Sequence, residues 1–552
     1  MSAEDQLTLR VLSALLRENV LGVRTVEERA DGLWLSGDHL ALPVIEEGFQ
    51  SEYAARLPLL EVDGQPVAGL DHLIAVLRER ADPEDQGGYD AFAEECRQTL
   101  ATMELHAEVQ PGVLAALGAR YGSDPAGWIG LGSSLAQDTL AAFLDHPVYP
   151  AARGRSGLTD DQLARYAPEF HPSFKLRWIA VPSGTLRFEG GQLPQWWPTP
   201  AQIGLPELEG CSTLPIHPLT FDTAPTEILG GVRGPAPYLD VVPTLSMRSV
   251  AVVQDPRHHL KLPLPTATLG VRNRRTIKAG VLADGAAGER LMRSVIAREP
   301  RFATTILNAD EQTFAESGHE LLAVLLRRYP AGLDDAVTVP LAALTATAPN
   351  GRLVIEQLAD SFYGGEVLAL YDAFVLLLFD WQITLFRYGI ALESHQQNTS
   401  LVLDRVDGVT RIRLLYKDND GLRINPARLP ANLPAEEFDD ARIFTDGDRG
   451  LTDLFTTITV HLCAASVAFA LADRLPLQRS LGVLRRRLTE AIDALGAEGA
   501  VLRADLLDAD RLPVKAMVTA GTLLSKARSG AADINKHYTS GPNYLRGPAS
   551  PR

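Results

Sequence analysis

The sequence predicts an α+β protein, in which helices and strands occupy separate stretches of the chain. Amphipathic helical patterns dominate the first 120 or so residues, short alternating runs punctuated by Pro and Gly fill about 178–280, and helical periodicity returns after about 285. Because the two kinds of pattern are segregated rather than interleaved, they favour α+β over a parallel, doubly wound sheet.

Length and composition indicate a folded protein with more than one domain. The chain has 552 residues, of which 46% are hydrophobic and 22% charged, so a packed core is expected. Its net charge of −17 argues against nucleic acid as a partner, since binding phosphate backbones needs a basic surface. A small anion in a locally basic pocket remains compatible with that charge.

Compartment signals favour the cytoplasm. The stretch MSAEDQ leads directly into an amphipathic helix, without the basic and apolar regions of a secretory signal. The most apolar helix, around 367–388, is interrupted by Asp372 and Asp380, so we expect a core helix and no membrane partner. The three cysteines stand alone in the sequence, which is typical of a reducing compartment: Cys96, Cys211 and Cys463.

The amino-terminal region, up to about residue 120, is predicted to be mostly helical with one strand-like stretch near 34–44. It is followed by the loop His146-Pro-Val-Tyr-Pro150, whose two prolines stiffen the chain before Arg153 and Arg155. Those cations could grip an anion, although a rigid turn between domains explains the same residues. Further along, LPIHPLT at 214–220 presents another histidine before a proline.

Basic and hydroxyl side chains recur in the β-rich region. Period-two alternation places Lys261 on the face opposite Leu260 and Leu262. Together with neighbouring residues it would form a wall suited to a triphosphate or a polycarboxylate, unless these residues simply cover a solvated sheet face. The members of this wall are Ser246, Arg248, Lys261, Thr268 and Arg272.

A β-hairpin is predicted after the long helix. Asp407-Gly408 separates two β-branched runs, a pattern typical of a two-residue type I′ turn. That turn pairs Val406 with Val409 and brings residue 398 opposite 417. Four polar side chains then converge at the open end of the hairpin and suit a divalent metal that carries phosphate oxygens, although they could also merely bond one another: Glu393, His395, Asn398 and Asp418.

Common nucleotide and hydrolase motifs are absent from the sequence. There is no GxxxxGK[ST], HExxH or GxSxG, and Gly130-Leu-Gly132 lacks the remaining fingerprint glycine. A bound nucleotide would therefore be held in another way.

Taken in order, these motifs resemble the siderophore synthetases that act independently of nonribosomal peptide synthetases, the IucA/IucC-like aerobactin synthetase family. That family carries a GHPxHPxxKxR loop, SxR, a KL strand leading to TxxxR, LPxHPWQ, EAHxQN and RD. The matching stretches here are DHPVYPAARGR at 145–155, Ser246 with Arg248, Lys261 with Thr268 and Arg272, LPIHPLT, Glu393 with His395 and Asn398, and Lys417-Asp418. Departures from the family pattern include Tyr149 for a histidine, Arg153 for a lysine and Thr220 for a glutamine.

The resemblance implies a cupped-hand architecture. Residues 1–165 would form a mostly helical thumb, 166–360 the β-rich fingers, and 361–552 a mostly helical palm that carries the hairpin and a segment similar to ferric reductases. It also implies a cytoplasmic homodimer with small-molecule substrates.

The activity implied is that of an ATP-dependent acid–amine ligase of siderophore biosynthesis. It would adenylate a carboxylate of citrate or a related acid and condense it with an amine, hydroxylamine or alcohol. The resemblance assigns ATP binding to Ser246, Arg248, Lys261, Thr268, Arg272, His395 and Asn398. Four of these would be catalytic: Arg248, Lys261, Arg272 and His395. Glu393 and Asp418 would bind Mg²⁺, and His146, Arg153 and Arg155 would bind the carboxylate substrate. The Lys261–Arg272 spacing is one residue shorter than in the family, so Arg275 competes with Arg272 for the phosphate.

Two other functions remain open. The same chemistry could act on another carboxylic acid in a different secondary-metabolite pathway, as the departures in the 145–155 loop allow. Alternatively, the chain could bind iron or a ferric siderophore, but three isolated cysteines cannot supply an iron–sulfur cluster.

Overall fold

Strands and helices occupy separate stretches of the chain in the computed structural model, which describes residues 1–434, 436–529 and 537–546. The predicted α+β class is confirmed. The division into three units at 165 and 360 stays a prediction.

The amino-terminal region contains more strand than the sequence predicted. The expected stretch near 34–44 forms two strands, but they belong to a larger antiparallel sheet of order β1-β2-β3-β5-β6, with β4 on β3. Asp63-Gly64 closes one of its hairpins, with both residues at positive φ, which is the same turn signal as Asp407-Gly408. The elements here are α1 (Ala3–Arg17), β1 (Thr25–Arg29), β2 (Gly32–Ser36), β3 (Leu40–Glu46), β4 (Tyr53–Ala55), β5 (Leu59–Val62), β6 (Gln65–Ala68), α2 (Leu70–Arg80), α3 (Gln86–Tyr121), α4 (Leu131–Ala142) and α5 (Asp160–Tyr166).

The middle of the chain forms the large sheet that positions the basic wall. Its strand order is β10-β7-β11-β12-β13-β16-β15-β8, with β9 on β7, and Lys261 ends β13 between Ser249 and Leu325. The elements are β7 (Phe174–Val181), β8 (Arg187–Glu189), β9 (Ser212–Ile216), α6 (Pro218–Phe221), β10 (Val232–Arg233), β11 (Tyr238–Pro243), β12 (Ser249–Val252), β13 (Asp255–Lys261), α7 (Val281–Arg298), β14 (Ile306–Asn308), β15 (Asp310–Glu316), β16 (Ala323–Arg328), β17 (Val337–Pro340) and α8 (Val354–Tyr363).

Strands β14–β17 follow α7, where the sequence predicted mainly helices. They are short, and the buried charges of Glu311 and Arg327 interrupt the apolar pattern that would mark a core strand. Strands β15 and β16 complete the large sheet, while β14 and β17 flank the hairpin described next.

The predicted hairpin lies in a second sheet of order β14-β20-β19-β17, directly after the long core helix. Its elements and those that follow are α9 (Val367–Arg387), β18 (Ile390–Ala391), β19 (Thr399–Val406), β20 (Val409–Tyr416), β21 (Arg423–Ile424), α10 (Arg449–Leu454), α11 (Ser466–Ala470), α12 (Leu477–Asp493), α13 (Ala500–Leu502), β22 (Arg511–Lys515), α14 (Lys526–Ser529) and β23 (Tyr538–Pro542). π-Helical turns over Phe455–Ala465 join α10 to α11. The chain after 528, which is rich in Gly, Pro and Ser, lies partly outside the described residues, and its described part includes β23.

Two helical stretches, Val367–Arg387 and Arg449–Ala470, are long and apolar enough to cross a membrane. This is weak support for a span, because core helices of water-soluble proteins share that length and composition. In α9 the side chains of Trp381 and Leu385 are fully buried within the protein's own core.

The carboxy-terminal segment packs back against the amino-terminal helices. The Glu18 carboxylate, at the end of α1, accepts hydrogen bonds from the backbone N–H groups of Val518 (2.9 Å) and Thr519 (2.7 Å). Glu95 of α3 accepts one from the hydroxyl of Thr522 (2.8 Å). These buried contacts fix the segment after β22 beside α1 and α3.

Candidate active site

The hairpin forms in the predicted register. Val406 pairs with Val409 and Thr399 with Tyr416, and Asp407 (φ 51°) and Gly408 (φ 79°) both take the positive φ of a type I′ turn. The backbone N–H of Lys417 donates to the Asn398 carbonyl at 3.1 Å, as that register requires. The strands' open end therefore brings the segment around 393–398 beside the turn that follows β20.

Lys261 joins the large sheet to this turn. Its Nζ lies 2.7 Å from Asp418 Oδ1 and 3.2 Å from Asp420 Oδ2, and its side chain is 5% exposed. A solvated sheet face is thus excluded for Lys261. Lys261 of the predicted basic wall and the acids of the hairpin turn thus meet in one region, which we call the cleft.

Ser246 and Arg248 enter the cleft from the tight turn between β11 and β12. Met247, between them, has φ 61°, and the Ser246 hydroxyl accepts from the backbone N–H of Ser249 at 3.1 Å. The Arg248 guanidinium donates to the Thr276 carbonyl at 3.0 Å. Burial lowers the pKa of Arg248, while Asp418 acts in the opposite sense, which places the guanidinium within electrostatic reach of the hairpin turn.

Arg272 and Arg275, the two candidates for the phosphate, have different surroundings. Arg272 donates to the carbonyl of Ala520 at 3.0 Å, so its side chain is directed to the carboxy-terminal segment. Burial, and next the neighbouring charge of Arg248, lowers the pKa of Arg275 to about 9. Arg275 therefore shares the cleft with Arg248, and two cations held together in this way favour an anionic ligand. Thr268 lies beside Glu95 and Gly154.

A buried ion cluster that the sequence did not reveal holds Asp418 in place. Arg327 donates through Nε to Glu311 (2.7 Å) and through Nη2 to Asp418 Oδ1 (2.5 Å). Glu311 also accepts from the backbone N–H groups of Asp418 (2.8 Å) and Asn419 (3.2 Å), which holds Asp418 at φ 58°. Burial alone would raise the pKa of Asp418, but Arg327 and Lys261 outweigh it and keep the pKa well below its usual range. We name Glu311, Arg327, Asp418 and Lys261 the anchoring cluster.

Glu393 lies against the same turn. A Cβ added at Gly421 would collide with its carboxylate, and Lys515 Nζ is 3.8 Å from its Oε1. The Asn398 amide donates to the Glu393 carbonyl at 3.4 Å. Two hydrogen bonds to Ser394 hold residues 393–398 in place. Gln382 donates to the Ser394 hydroxyl (2.9 Å), and the Cys463 thiol donates to the Ser394 carbonyl (2.9 Å).

The carboxylates at this site suit a Mg²⁺ ion that is bound together with a nucleotide, but not one held by protein side chains alone. Among the described residues no three His, Cys, Asp or Glu side chains cluster closely enough to form a protein-only metal site. Mg²⁺ bound with a nucleotide needs only one or two carboxylates, since phosphates and water fill its other positions. Glu393 and Asp418 border one turn, and because Lys261 and Arg327 both donate to Asp418 Oδ1, a metal would be held through Glu393 and the Oδ2 atom of Asp418.

His146 and His395 are neutral hydrogen-bond donors. His395 Nδ1 accepts from the backbone N–H of Gln397 (3.2 Å), and His146 Nδ1 accepts from that of Tyr149 (3.0 Å), so each ring carries its proton on Nε2. Burial lowers the pKa of His395 to about 4. Burial, and next the neighbouring His395, lowers the pKa of His146 to about 3, so the two rings are near enough to interact electrostatically.

Arg153 and Arg155 follow His146 in the same loop, and each is held in an ion pair. Arg153 Nε lies 2.7 Å from Asp145, and Arg155 Nη2 lies 2.7 Å from Glu169, which is 1% exposed. Arg155 still acts electrostatically on Arg275. Their predicted contact with a carboxylate substrate stays a prediction.

Sequence reasoning missed several residues of the cleft. Arg327 and Glu311 belong to strands that were not predicted, and Lys515 ends β22, far along the chain from the hairpin. Asp420 could have been predicted from the sequence, because KDND contains a second acid two residues after Asp418.

Comparisons with known proteins agree with the predicted resemblance. Residues 138–346 match the IucA / IucC family, and residues 382–529 match the ferric iron reductase FhuF-like transporter family. The chain is 24% identical to staphyloferrin B synthase of Staphylococcus aureus in an alignment that covers 53% of this chain and 55% of that protein. It is also 24% identical to staphyloferrin A synthase of the same organism, over 51% of each chain. The matches thus span about half the length of these curated relatives.

Two solved structures share the fold over nearly the whole chain. The petrobactin biosynthesis protein AsbB from Bacillus anthracis superposes with a TM-score of 0.77 at 15% identity, covering 98% of this chain and 95% of that one. ATP-bound aerobactin synthetase IucA from Klebsiella pneumoniae gives 0.72 at 18% identity, covering 98% and 100%. The resemblance to the siderophore synthetases of the IucA/IucC family is confirmed.

The anchoring cluster should carry much of the local stability. Replacing Arg327 by Met leaves Glu311 buried without its cation, so we expect the free energy of unfolding to fall by about 3–5 kcal/mol. The neighbouring Arg328, whose side chain is 62% exposed, gives the matched control: Arg328→Met should cost about 1 kcal/mol or less. Urea unfolding of both variants measures the difference, and equal losses would contradict the role given to Arg327.

His217 generates a pH-dependence of stability. Its ring is fully buried, Nδ1 accepts from the backbone N–H of Leu219 (3.1 Å), and burial lowers its pKa to about 3. Between about pH 6.5 and 3 the unfolded chain binds a proton there that the folded chain does not, so stability falls as pH falls.

His217→Asn keeps a hydrogen-bond acceptor and removes this titration. We expect the slope of unfolding free energy against pH to decrease by about 1.4 kcal/mol per pH unit near pH 5. The exposed His72 provides the control, since His72→Asn should leave the slope unchanged. A wild-type slope in His217→Asn would show that His217 is charged in the folded protein.

Proposed function

We infer that this chain, which resembles the IucA/IucC family in sequence and aerobactin synthetase in fold, is an ATP-dependent ligase of siderophore biosynthesis. The observation that carries the proposal is the contact of Lys261 with Asp418 at 2.7 Å. It brings one residue of the proposed phosphate-binding wall against one of the proposed metal-binding acids, which supports a single metal-bound triphosphate that touches both groups. Arg248 and Arg275 add positive charge that no carboxylate contacts directly among the described residues.

The proposed reaction begins with a carboxylate of citrate or a related polycarboxylic acid. One carboxylate oxygen attacks the α-phosphorus of ATP, the bond to the β-phosphate oxygen breaks, and pyrophosphate leaves. The acyl-adenylate replaces a very poor leaving group, oxide, by AMP. An amine, hydroxylamine or alcohol then attacks the carbonyl, loses a proton and releases AMP, which gives an amide or ester.

The residues of the cleft would act by position and charge. Arg248, Lys261 and Arg275, with Ser246, would hold the phosphates and neutralise charge that develops at the α-phosphorus. Glu393 and Asp418 would hold Mg²⁺, which supplies further neutralisation of phosphate charge when bound. The Nε2–H groups of His395 and His146 would donate to phosphate or carboxylate oxygens without adding charge.

The acid substrate would lie on the side of His146, Lys515 and the 145–155 loop. Lys515 acts on the pKa of both His146 and His395, so it adds a cation where a carboxylate would enter. A cytoplasmic homodimer with small-molecule substrates, ATP and Mg²⁺ completes the proposal.

A second candidate keeps this chemistry and changes the acid. It is favoured by Arg153 and Arg155, which are already paired with Asp145 and Glu169, so the loop offers less free positive charge than its sequence suggests. A pyrophosphate-release screen over carboxylic acids separates the candidates, because inactivity with citrate and turnover with another acid would select the second.

An iron-binding function has less support, despite the match of residues 382–529 to ferric-reductase-like proteins. Cys96 and Cys463 are buried in different parts of the core, and Cys211 lies in the large-sheet region. Purified protein that is brown and absorbs visible light would favour this function instead.

Adenylation should depend on Arg248. With Mg-ATP, citrate and hydroxylamine, we expect the wild-type protein to form AMP, pyrophosphate and a hydroxamate. Arg248→Ala should lower the rate about 10²–10³-fold, as loss of one donor to developing charge does in other enzymes. Lys175→Ala, which removes an exposed lysine paired with Asp240, is the control. An unchanged rate in folded Arg248→Ala would remove Arg248 from the site.

Arg275 and Arg272 should differ sharply when each is replaced by Ala. Arg275→Ala is expected to reduce kcat/KM about 10²-fold or more, because its charge lies beside Arg248. Arg272→Ala should retain most of the activity and lose about 1 kcal/mol of stability with the bond to Ala520. Paired kinetics and thermal unfolding measure both effects, and the reverse order would assign the phosphate to Arg272.

A further inference from the structure

Helix α1 contacts the loop that carries His146. Arg17 donates through Nη2 to the carbonyl of Val148. Arg10 donates through Nη2 to the carbonyl of Tyr149 at 3.2 Å. Because the two arginines are about two helical turns apart along α1, both project from the same face of the helix. Two neighbouring carbonyls of the loop are thus held by one helix face.

The same two loop residues orient the His146 ring. The backbone N–H groups of Val148 and Tyr149 donate to His146 Nδ1 at 3.3 Å and 3.0 Å. Each residue of this turn therefore bonds the ring through its N–H group and α1 through its carbonyl. Both residues are buried, so water cannot readily replace the arginine donors. The orientation of the His146 ring thus depends on Arg10 and Arg17.

A carboxylate at the start of the loop adds a further link to α1. Asp145 Oδ1 lies 2.5 Å from Arg10 Nη1 and 2.7 Å from Arg153 Nε. The family pattern has glycine at this position, so the bridge is a feature of this chain. It connects α1 to Arg153, which the resemblance assigns to the acid substrate.

The other end of α1 holds the segment that carries Lys515. Glu18 accepts hydrogen bonds from the backbone N–H groups of Val518 (2.9 Å) and Thr519 (2.7 Å) and from the Thr519 hydroxyl (2.7 Å). Lys515 ends β22 just before this segment, and it acts electrostatically on His146. One helix therefore holds two parts of the chain that are far apart in sequence and close together in space.

We propose that α1 is a positioning element for the acid substrate. Arg10 and Arg17 hold the loop of His146, and Glu18 holds the segment of Lys515. The inference rests on the proposed function, in which the acid lies beside these two held residues. Since the proposed phosphate-binding wall belongs to the large sheet, loss of an α1 contact affects the acid and leaves nucleotide binding intact. A displacement of about 1 Å in a group that binds substrate can cost on the order of 100-fold in rate.

Arg17→Met tests this role kinetically, because it removes the donor to Val148 and keeps an unbranched side chain. With Mg-ATP, hydroxylamine and citrate as the acid probe, we expect the KM for citrate to rise about tenfold or more and the KM for ATP to stay within about twofold. Arg10→Met is a second variant with the same expected split. Arg17→Lys restores one donor and should return the KM for citrate to within about threefold of wild type. Arg24→Met, at an exposed arginine after α1, is the control and should change neither KM.

Amide hydrogen exchange tests the same contacts without substrates. In Arg17→Met we expect exchange in the 146–150 segment to become about tenfold faster or more, because its turn loses an anchor, while exchange at 516–520 stays unchanged. Glu18→Gln should give the opposite pattern, because it weakens the bonds to the backbone N–H groups of the second segment. Mass spectrometry of peptides that cover each segment measures both effects, with Arg24→Met as the control.

If the wild-type protein is active, two results would overturn the proposal. One is a KM for citrate that is unchanged in both Arg17→Met and Arg10→Met, or that rises no more than the KM for ATP. The other is wild-type exchange at 146–150 in Arg17→Met. If the pyrophosphate-release screen selects another acid, that acid replaces citrate as the probe. Wild-type protein that releases no pyrophosphate with any acid would contradict the proposed function itself, and the exchange measurement would then show on its own whether α1 holds the loop.

Discussion

The ion pair between Arg327 and Asp418, fixed by Glu311 and extended by Lys261, is the contact on which the arrangement of the cleft depends. Four charges with side chains at most 15% exposed come from β13, β15, β16 and the turn after the hairpin. Burying each alone would be strongly unfavourable, so the elements that carry them are stable only in mutual contact. The large sheet and the hairpin are therefore held at one relative position, and the cleft lies where they meet.

This constraint also explains the electrostatics of the cleft. Asp418 is already neutralised by Lys261 and Arg327, so it does not compensate Arg248 and Arg275 fully. Burial lowers the pKa of both arginines, and the proximity of Arg248 lowers that of Arg275 further. The two histidines stay neutral for the same reason of burial. A polyanion bound between these groups would relieve the repulsion between Arg248 and Arg275.

Local features of this protein were predictable from sequence, and contacts over long sequence separation were not. Asp407-Gly408 determines the hairpin register through the backbone preference of these two residues. The predicted position of Asn398 beside Lys417 was therefore correct. Glu311 and Arg327 gave no such signal, because each interrupts a short apolar strand and acquires its role only when the large sheet meets the hairpin. Arg272 and Arg275 lie in an irregular loop, where alternation does not determine which side chain faces the cleft.

The central claim is that one metal-bound nucleotide bridges the wall of the large sheet and the hairpin turn. A crystal structure of the protein with Mg²⁺ and a non-hydrolysable ATP analogue tests it most directly. The account predicts that the triphosphate contacts Arg248, Lys261 and Arg275 and that the metal lies at Glu393 or Asp418. A triphosphate bound elsewhere, with this cleft still open to water, would contradict it.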